Sequence, residues 1–319
     1  MKPRAIALSL FLFFMSVPVL YAQITGASCP ETAQYYAKDS INVVTFGAST
    51  VEGVNGLFFQ APLTSNFLKC YPGKTINIEN YGIGGETTAQ GLRRIDAAIA
   101  GKTGFIVLLM GANDALRIEA GEQTMDYTEE NMRLLISKSL QQHLVPILCT
   151  LQYFDDRNNA LYKRVNKHIY AINALYRRLA SEYGLYLADI NAVMRRDFSL
   201  YQDFVHPNAR GNRLIAFILF DAINKIIADR FLQFTVTQNY PNPGRNKSLV
   251  DIVLPTAGKV SFKLYDLQSR LVKTVLDEYM NSGKHSLELD VSTLPAGIYI
   301  YRVSSDAGYV VVKKMVVIH

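Results

Sequence analysis

Histidine is scarce in this chain, with five in 319 residues, and one of them has a carboxylate three positions upstream. That one lies in Asp203-Phe204-Val205-His206-Pro207-Asn208, a polar stretch after the last short apolar run of the first two-thirds of the chain. An imidazole oriented by a carboxylate is what a serine hydroxyl needs in order to act as a nucleophile. The other histidines lack such a setting. His143 ends a helical segment, His168 lies between basic residues of another, His285 falls in a β-rich tail, and His319 is terminal. Taken alone, 203–208 reads equally as an Asp/Pro/Asn entry into a helix. The matching serine is Ser49, in INVVTFGASTVEG (residues 41–53). Apolar and β-branched residues run there into Gly47, Ala48 and Ser49, the pattern of a buried strand stopping in a tight loop. Alone, Ser49 also reads as the cap of the following helix.

Two further loops change the balance. Asn80-Tyr81-Gly82-Ile83-Gly84-Gly85-Glu86-Thr87 follows a second strand-like run, and Gly111-Ala112-Asn113-Asp114 follows a third. A glycine N–H can approach a ligand closely, and an asparagine amide is a fixed donor. With the N–H of Ser49, Gly85 and Asn113 would surround a developing oxyanion beside the Ser49 hydroxyl.

The elements that must position these loops are legible as an alternation. Strands are expected at 41–46, 75–80, 104–110, 144–151 and 185–190, and helices at 57–68, 87–100, 127–143, 161–183 and 208–227. The strands are mostly continuous apolar runs, which implies a parallel sheet covered on both faces. In such a sheet all strand-end loops emerge at one carboxyl edge, where ligands bind. The helix at 161–183 carries basic residues on its outer side.

Gly47-Ala48-Ser49, the loop ending Gly85-Glu86-Thr87-Thr88, Gly111-Ala112-Asn113-Asp114 and Asp203-x-x-His206 together resemble the SGNH (GDSL-type) hydrolases in order and spacing, over roughly 41–227. The resemblance implies a flavodoxin-like three-layer α/β fold and an acyl-ester hydrolase that uses no metal or other cofactor. It assigns Ser49 as nucleophile, His206 as general base and Asp203 as its orienting partner. Ser49, Gly85 and Asn113 become the oxyanion hole. One departure stands out: Ala48 occupies the place usually held by aspartate, outside the proton relay. The loop Gly111–Arg117 is similar to that of the thioesterase/lysophospholipase-like branch, which implies small or medium acyl esters over polymers. Carbohydrate O-acetyl ester hydrolysis is the alternative, and a non-catalytic surface ligand-binding protein on the same scaffold is the rival of a different class. Phe58, Phe59, Tyr153 and Phe154 are candidate acyl-pocket aromatics, or else plain core or rim residues.

The texture changes after Phe231. Short β-rich runs separated by Gly and Pro turns replace the helical periodicity, indicating a small all-β sandwich. Asn239-Tyr240-Pro241-Asn242-Pro243, Leu294-Pro295-Ala296-Gly297-Ile298-Tyr299 and the terminal Lys313-Lys314-Met315-Val316-Val317 resemble the C-terminal sorting domain of type IX secretion substrates. That resemblance implies a secreted or surface protein that engages this secretion machinery. At the other end, Lys2 and Arg4 precede an apolar run from Ala5 to Val19, the pattern of a cleaved signal peptide rather than a spanning helix. The expected organisation is a signal peptide at 1–22, a hydrolase domain at 23–231, a linker at 232–239 and a sandwich at 240–319.

The remaining composition narrows the partners. The formal net charge of +6 is not concentrated in any patch of the α/β region, which argues against nucleic-acid binding. No second stretch is long and apolar enough for a stable membrane span. Of Cys29, Cys70 and Cys149, the last lies in an apolar run and reads as a buried hydrophobe, while an oxidising compartment permits a Cys29–Cys70 bridge.

Overall fold

A computed structural model describes residues 28–319, so the expected signal peptide lies outside the described residues. The first half is built on β1 (Ser40–Gly47), β2 (Thr75–Gly82), β3 (Phe105–Leu109), β4 (Val145–Cys149) and β5 (Tyr186–Ala188). All pair in parallel, in the order β2-β1-β3-β4-β5. Every residue of β3 is buried, as its unbroken FIVLL run requires of a central strand. Strand β2 is at the edge, and its TINIEN alternation leaves Thr75, Asn77 and Asn80 exposed.

The helices are α1 (Ser49–Glu52), α2 (Gln60–Cys70), α3 (Thr88–Leu92), α4 (Ile95–Ile99), α5 (Ala112–Glu119), α6 (Met125–Gln141), α7 (Ala160–Tyr183), α8 (Ile190–Met194) and α9 (Ala209–Arg230). α2 packs on α9, while α6 and α7 pack on β4 and on each other. Right-handed crossovers place these two pairs on opposite faces, which gives three layers. The strand order reverses beside β1, because β2 and β3 flank it. This is the switch point at which open α/β sheets form a crevice.

Three local outcomes differ from the sequence expectation. The single helix expected over 87–100 is two short ones, because the chain breaks at Arg93–Arg94 and Arg94 turns its side chain back toward β1. α5 starts directly off β3, so Gly111-Ala112-Asn113-Asp114 is a helix entry as well as a loop. Ser49 is the first residue of α1, and the cap position belongs to Ala48.

The second half forms two antiparallel sheets from β6 (Thr235–Val236), β7 (Lys247–Leu254), β8 (Gly258–Tyr265), β9 (Leu271–Met280), β10 (Gly283–Asp290), β11 (Gly297–Ser305) and β12 (Val310–Val317). Their orders are β10-β7-β6 and β12-β11-β8-β9. Alternate residues bury between them, with Val250, Ile252, Phe262, Leu264, Tyr301, Val303 and Met315 in the core. Part of the segment read as a linker is β6, with Thr235 opposite Val253 and Val236 opposite Ile252. Cys29 and Cys70 are disulfide-bonded, and Cys149 is a buried free thiol whose pKa burial drives upward.

Candidate active site

β1 must lie close to β3 to bring their loops together, and Gly47 permits it. A Cβ at Gly47 would sit 2.2 Å from the Leu109 carbonyl oxygen and 2.4 Å from Val51 Cγ2. The chain then turns at Ala48, whose carbonyl accepts the N–H groups of Val51 and Glu52 at 3.0 and 2.9 Å. Ser49 follows in the first turn of α1, where backbone N–H groups have no partner within the helix. Thr50 Oγ1 accepts a 2.9 Å bond from Gln152 Nε2, fixing this turn to the loop after β4.

The loop before α9 brings the imidazole to Ser49. His206 Nε2 lies 2.9 Å from Ser49 Oγ, and His206 Nδ1 lies 2.8 Å from Asp203 Oδ2. The other Asp203 oxygen accepts the N–H groups of Val205 and His206, each at 2.7 Å. Partial burial raises the Asp203 pKa, but these two N–H donors and the ring outweigh it and hold the carboxyl below its usual range. An ionised carboxylate is acceptor-only, so Nδ1 carries the ring proton and Nε2 presents its lone pair to the serine.

The loop itself is held at several points. Gln202 N–H donates to the His206 carbonyl at 2.9 Å, and its side chain bonds both Pro207 and Val54 carbonyls and accepts from Asn55. Asp155 N–H donates to the Phe204 carbonyl at 2.7 Å, and Tyr201 donates its hydroxyl to the Tyr153 carbonyl. Asn208 caps α9 through the N–H groups of Arg210 and Gly211.

Gly85 and Asn113 face the same crevice. Gly85 has φ +77 with open space where a Cβ would point, so glycine is needed there for its backbone conformation and not for room. Asn113 Nδ2 donates one hydrogen to the Glu86 carbonyl at 2.9 Å, which fixes the amide and leaves its second hydrogen. Next to it, buried Asp114 accepts the Thr88 N–H at 2.9 Å and the Thr88 hydroxyl, tying α3 to α5.

Ser49, Gly85, Asn113 and His206 all line one cleft of about 290 Å³. Its inner wall is apolar, formed by Leu109, Met110, Leu116, Leu151 and Phe154. Of the four aromatics considered from sequence, only Phe154 is on this wall. Phe59 is fully buried in the core, Phe58 is exposed elsewhere, and Tyr153 faces a neighbouring groove. Tyr162, which packs edge-on against Phe154 with ring centroids 5.2 Å apart, escaped the sequence reading because it sits at the start of a long helix. Among the described residues, no cluster of three His, Cys, Asp or Glu side chains is placed to hold a metal ion.

Residues 45–214 match the GDSL-like lipase/acylhydrolase family, a match that spans more than half of the chain. The chain belongs to this family. It is therefore a carboxylic ester hydrolase by family. Residues 238–318 match a secretion system C-terminal sorting domain, so the GDSL-like hydrolase is joined to a module of secreted or surface proteins. Among solved structures, an acetyl xylan esterase from Geobacillus stearothermophilus is similar in fold, at 19% identity and TM-score 0.50, over 60% of this chain and 96% of that one. A GDSL-like lipase from Bacteroides thetaiotaomicron aligns at 18% identity and TM-score 0.48, over 65% of this chain and 96% of that one. No curated protein matches the chain. Among the described residues, no helix is long and apolar enough to cross a membrane.

Proposed function

We propose that this GDSL-family hydrolase is a secreted serine esterase acting on small or medium acyl esters through Ser49, His206 and Asp203. The observation that carries this reading is the continuous relay from Asp203 through His206 to Ser49 Oγ, at 2.8 and 2.9 Å. His206 Nε2 takes the hydroxyl proton as Oγ attacks the ester carbonyl carbon. The N–H groups of Ser49 and Gly85 and the second Asn113 amide hydrogen stabilise the oxyanion. As the tetrahedral intermediate collapses, His206 returns the proton to the departing alcohol oxygen, leaving an acyl-serine. Water, deprotonated by His206, then releases the acid and restores Ser49.

The small volume and apolar wall of the cleft favour short acyl groups. Sugar O-acetyl esters are the second reading, which the acetyl xylan esterase of the same fold brings into consideration. The signal-peptide-like segment at 1–22 and the sorting domain support passage through the inner and then the outer membrane.

Ser49→Ala is expected to abolish turnover of 4-nitrophenyl acetate with unchanged circular dichroism, and a serine-reactive phosphonate is expected to label Ser49 in the native protein. Full activity in the alanine variant would overturn the assignment. Rates across a series of acyl chain lengths and acetylated sugars separate the two substrate readings.

A further inference from the structure

Beside the catalytic cleft lies a second, wider concavity of about 600 Å³. The two share a wall. Phe154 and Tyr162 line the cleft, while their sequence neighbours Tyr153, Asp156, Arg157 and Lys163 line the groove. Buried Asn166 fixes that wall, donating to the Phe154 carbonyl and accepting its N–H at 2.8 and 2.9 Å. Because Tyr153 and Phe154 are consecutive, one side chain lines each concavity, and a substrate long enough to cross this wall reaches both.

The groove has a definite chemistry. On α7, Lys163, Lys167 and Tyr170 stand at i, i+4 and i+7, one above another on a single exposed face. Opposite them, the Arg196 guanidinium lies 4.8 Å from the centroid of the Tyr153 ring, and Arg157 completes the cationic border. Arg157 and Arg196 each spend their charge on a carboxylate, at 2.7 Å to Asp155 and 2.8 Å to Asp156. The side chains of Lys163 and Lys167 make no ion pair among the described residues. The groove thus keeps a positive surplus, beside Tyr170, a residue that is 65% exposed. Exposed aromatic faces stack on sugar rings, and unpaired lysines complement carboxylates.

We infer that the groove holds an anionic glycan, a chain containing uronic acid residues, and that the ester presented to Ser49 is an acyl group carried on that glycan. This rests on the esterase reading and specifies its alcohol component. The acyl group stays small, while the alcohol is longer than the loop at 111–117 leads one to expect. Steady-state kinetics of the full chain would use acetylated oligogalacturonate, acetylated xylo-oligosaccharide without uronate, and 4-nitrophenyl acetate as reference.

In Lys163→Glu/Lys167→Glu, both changes being on the exposed helix face, the KM for the acidic substrate relative to the reference is expected to rise about tenfold. The same ratio for the neutral sugar should move little. Raising salt from 0.15 M to 1 M, which cuts the screening length from about 8 Å to about 3 Å, should reproduce part of that rise in the native protein. Binding of unacetylated oligogalacturonate to Ser49→Ala, followed by calorimetry, tests the groove without catalysis. If native protein fails to turn over any ester yet binds the uronate, the esterase reading falls and the groove stands. Equal effects of the double reversal on acidic and neutral sugars, or a preference for phosphorylated esters with no uronate binding, would overturn the groove assignment.

Discussion

At the residue scale, the site is a set of side chains that are each ambiguous alone and become specific through their partners. Ser49 and His206 are 157 positions apart and 2.9 Å apart in space. Asn113 has one amide hydrogen committed to the Glu86 carbonyl, so its orientation is set before any substrate arrives. If it is an oxyanion donor, Asn113→Ala lowers kcat by on the order of a hundredfold or more, with a much smaller change in KM, because the donor acts on charge that develops in the transition state. Burst and steady-state kinetics check this. Asp203 supports a prediction about pH. Its folded pKa is depressed, so its contribution to stability is present above the unfolded carboxylate value of about 3.9 and is lost as pH falls through the lower folded value. Native protein should exceed Asp203→Asn in urea midpoint at pH 7, and the gap should close progressively below about pH 4. A gap independent of pH would show that the carboxylate charge is not what holds the loop.

At the element scale, the turn that carries Ser49 lacks the aspartate common in the SGNH pattern and is held by other means. Ala48 is buried, and the turn is closed by its carbonyl and by the Thr50–Gln152 bond. Arg94 also reaches the end of β1: it donates to the Gly47 carbonyl at 3.0 Å, pairs with Glu86 at 2.7 Å, and lies over the Phe46 ring. Arg94→Ala leaves a largely buried carboxylate and a strand-end carbonyl without their partner. A loss of roughly 1.5–3 kcal/mol in stability is expected, together with reduced kcat, because both Ser49 and the Gly85 loop lose a common anchor. Denaturant midpoints and esterase rates on the same preparation measure both. Arg94 was invisible in the sequence because it sat inside what reads as one amphipathic helix over 87–100. The helix breaks there through this long-range bond, and periodicity carries no information about it. The central strands β1, β3 and β4, by contrast, were legible from FIVLL-type runs, since a strand covered on both faces needs no alternation, and the edge strand β2 was legible from its alternation. α5 was missed because Gly111 and Asn113 are turn residues by local chemistry, while the helix they open is sustained by packing on α7. The cleft wall was half legible: Phe154 follows a strand, whereas Tyr162 and Leu116 are single positions within helices.

At the scale of the whole molecule, the lead-in before β1 stitches several elements together at the end of the sheet remote from the cleft. Cys29 bonds to Cys70 at the end of α2. Ala37 N–H donates to the Phe231 carbonyl, Gln233 N–H donates to the Tyr35 carbonyl, and Glu31 pairs with Lys284 of β10. The bridge closes a sequence separation of 41 residues that includes β1 and the Ser49 turn. In the chain-entropy account, a closure of this length stabilises by about 4 kcal/mol, less whatever the reduced chain recovers. For an α/β unit of this size that corresponds to a fall in Tm of roughly 8–16 °C on removal. Cys29→Ser/Cys70→Ser should therefore unfold its α/β half at lower temperature in calorimetry, while the sandwich, which has its own core, keeps its transition. Because Cys70 precedes β2 and the cleft lies beyond the carboxyl ends of the strands, kcat at 25 °C should stay within about twofold of native, following the additivity of distant sites. A large loss of kcat with an unchanged Tm would reverse this picture, making the bridge a device that shapes the cleft and not one that restrains the unfolded chain. Dithiothreitol treatment of the native protein provides the same comparison without mutation, since burial of Cys149 removes the free thiol from the exchange.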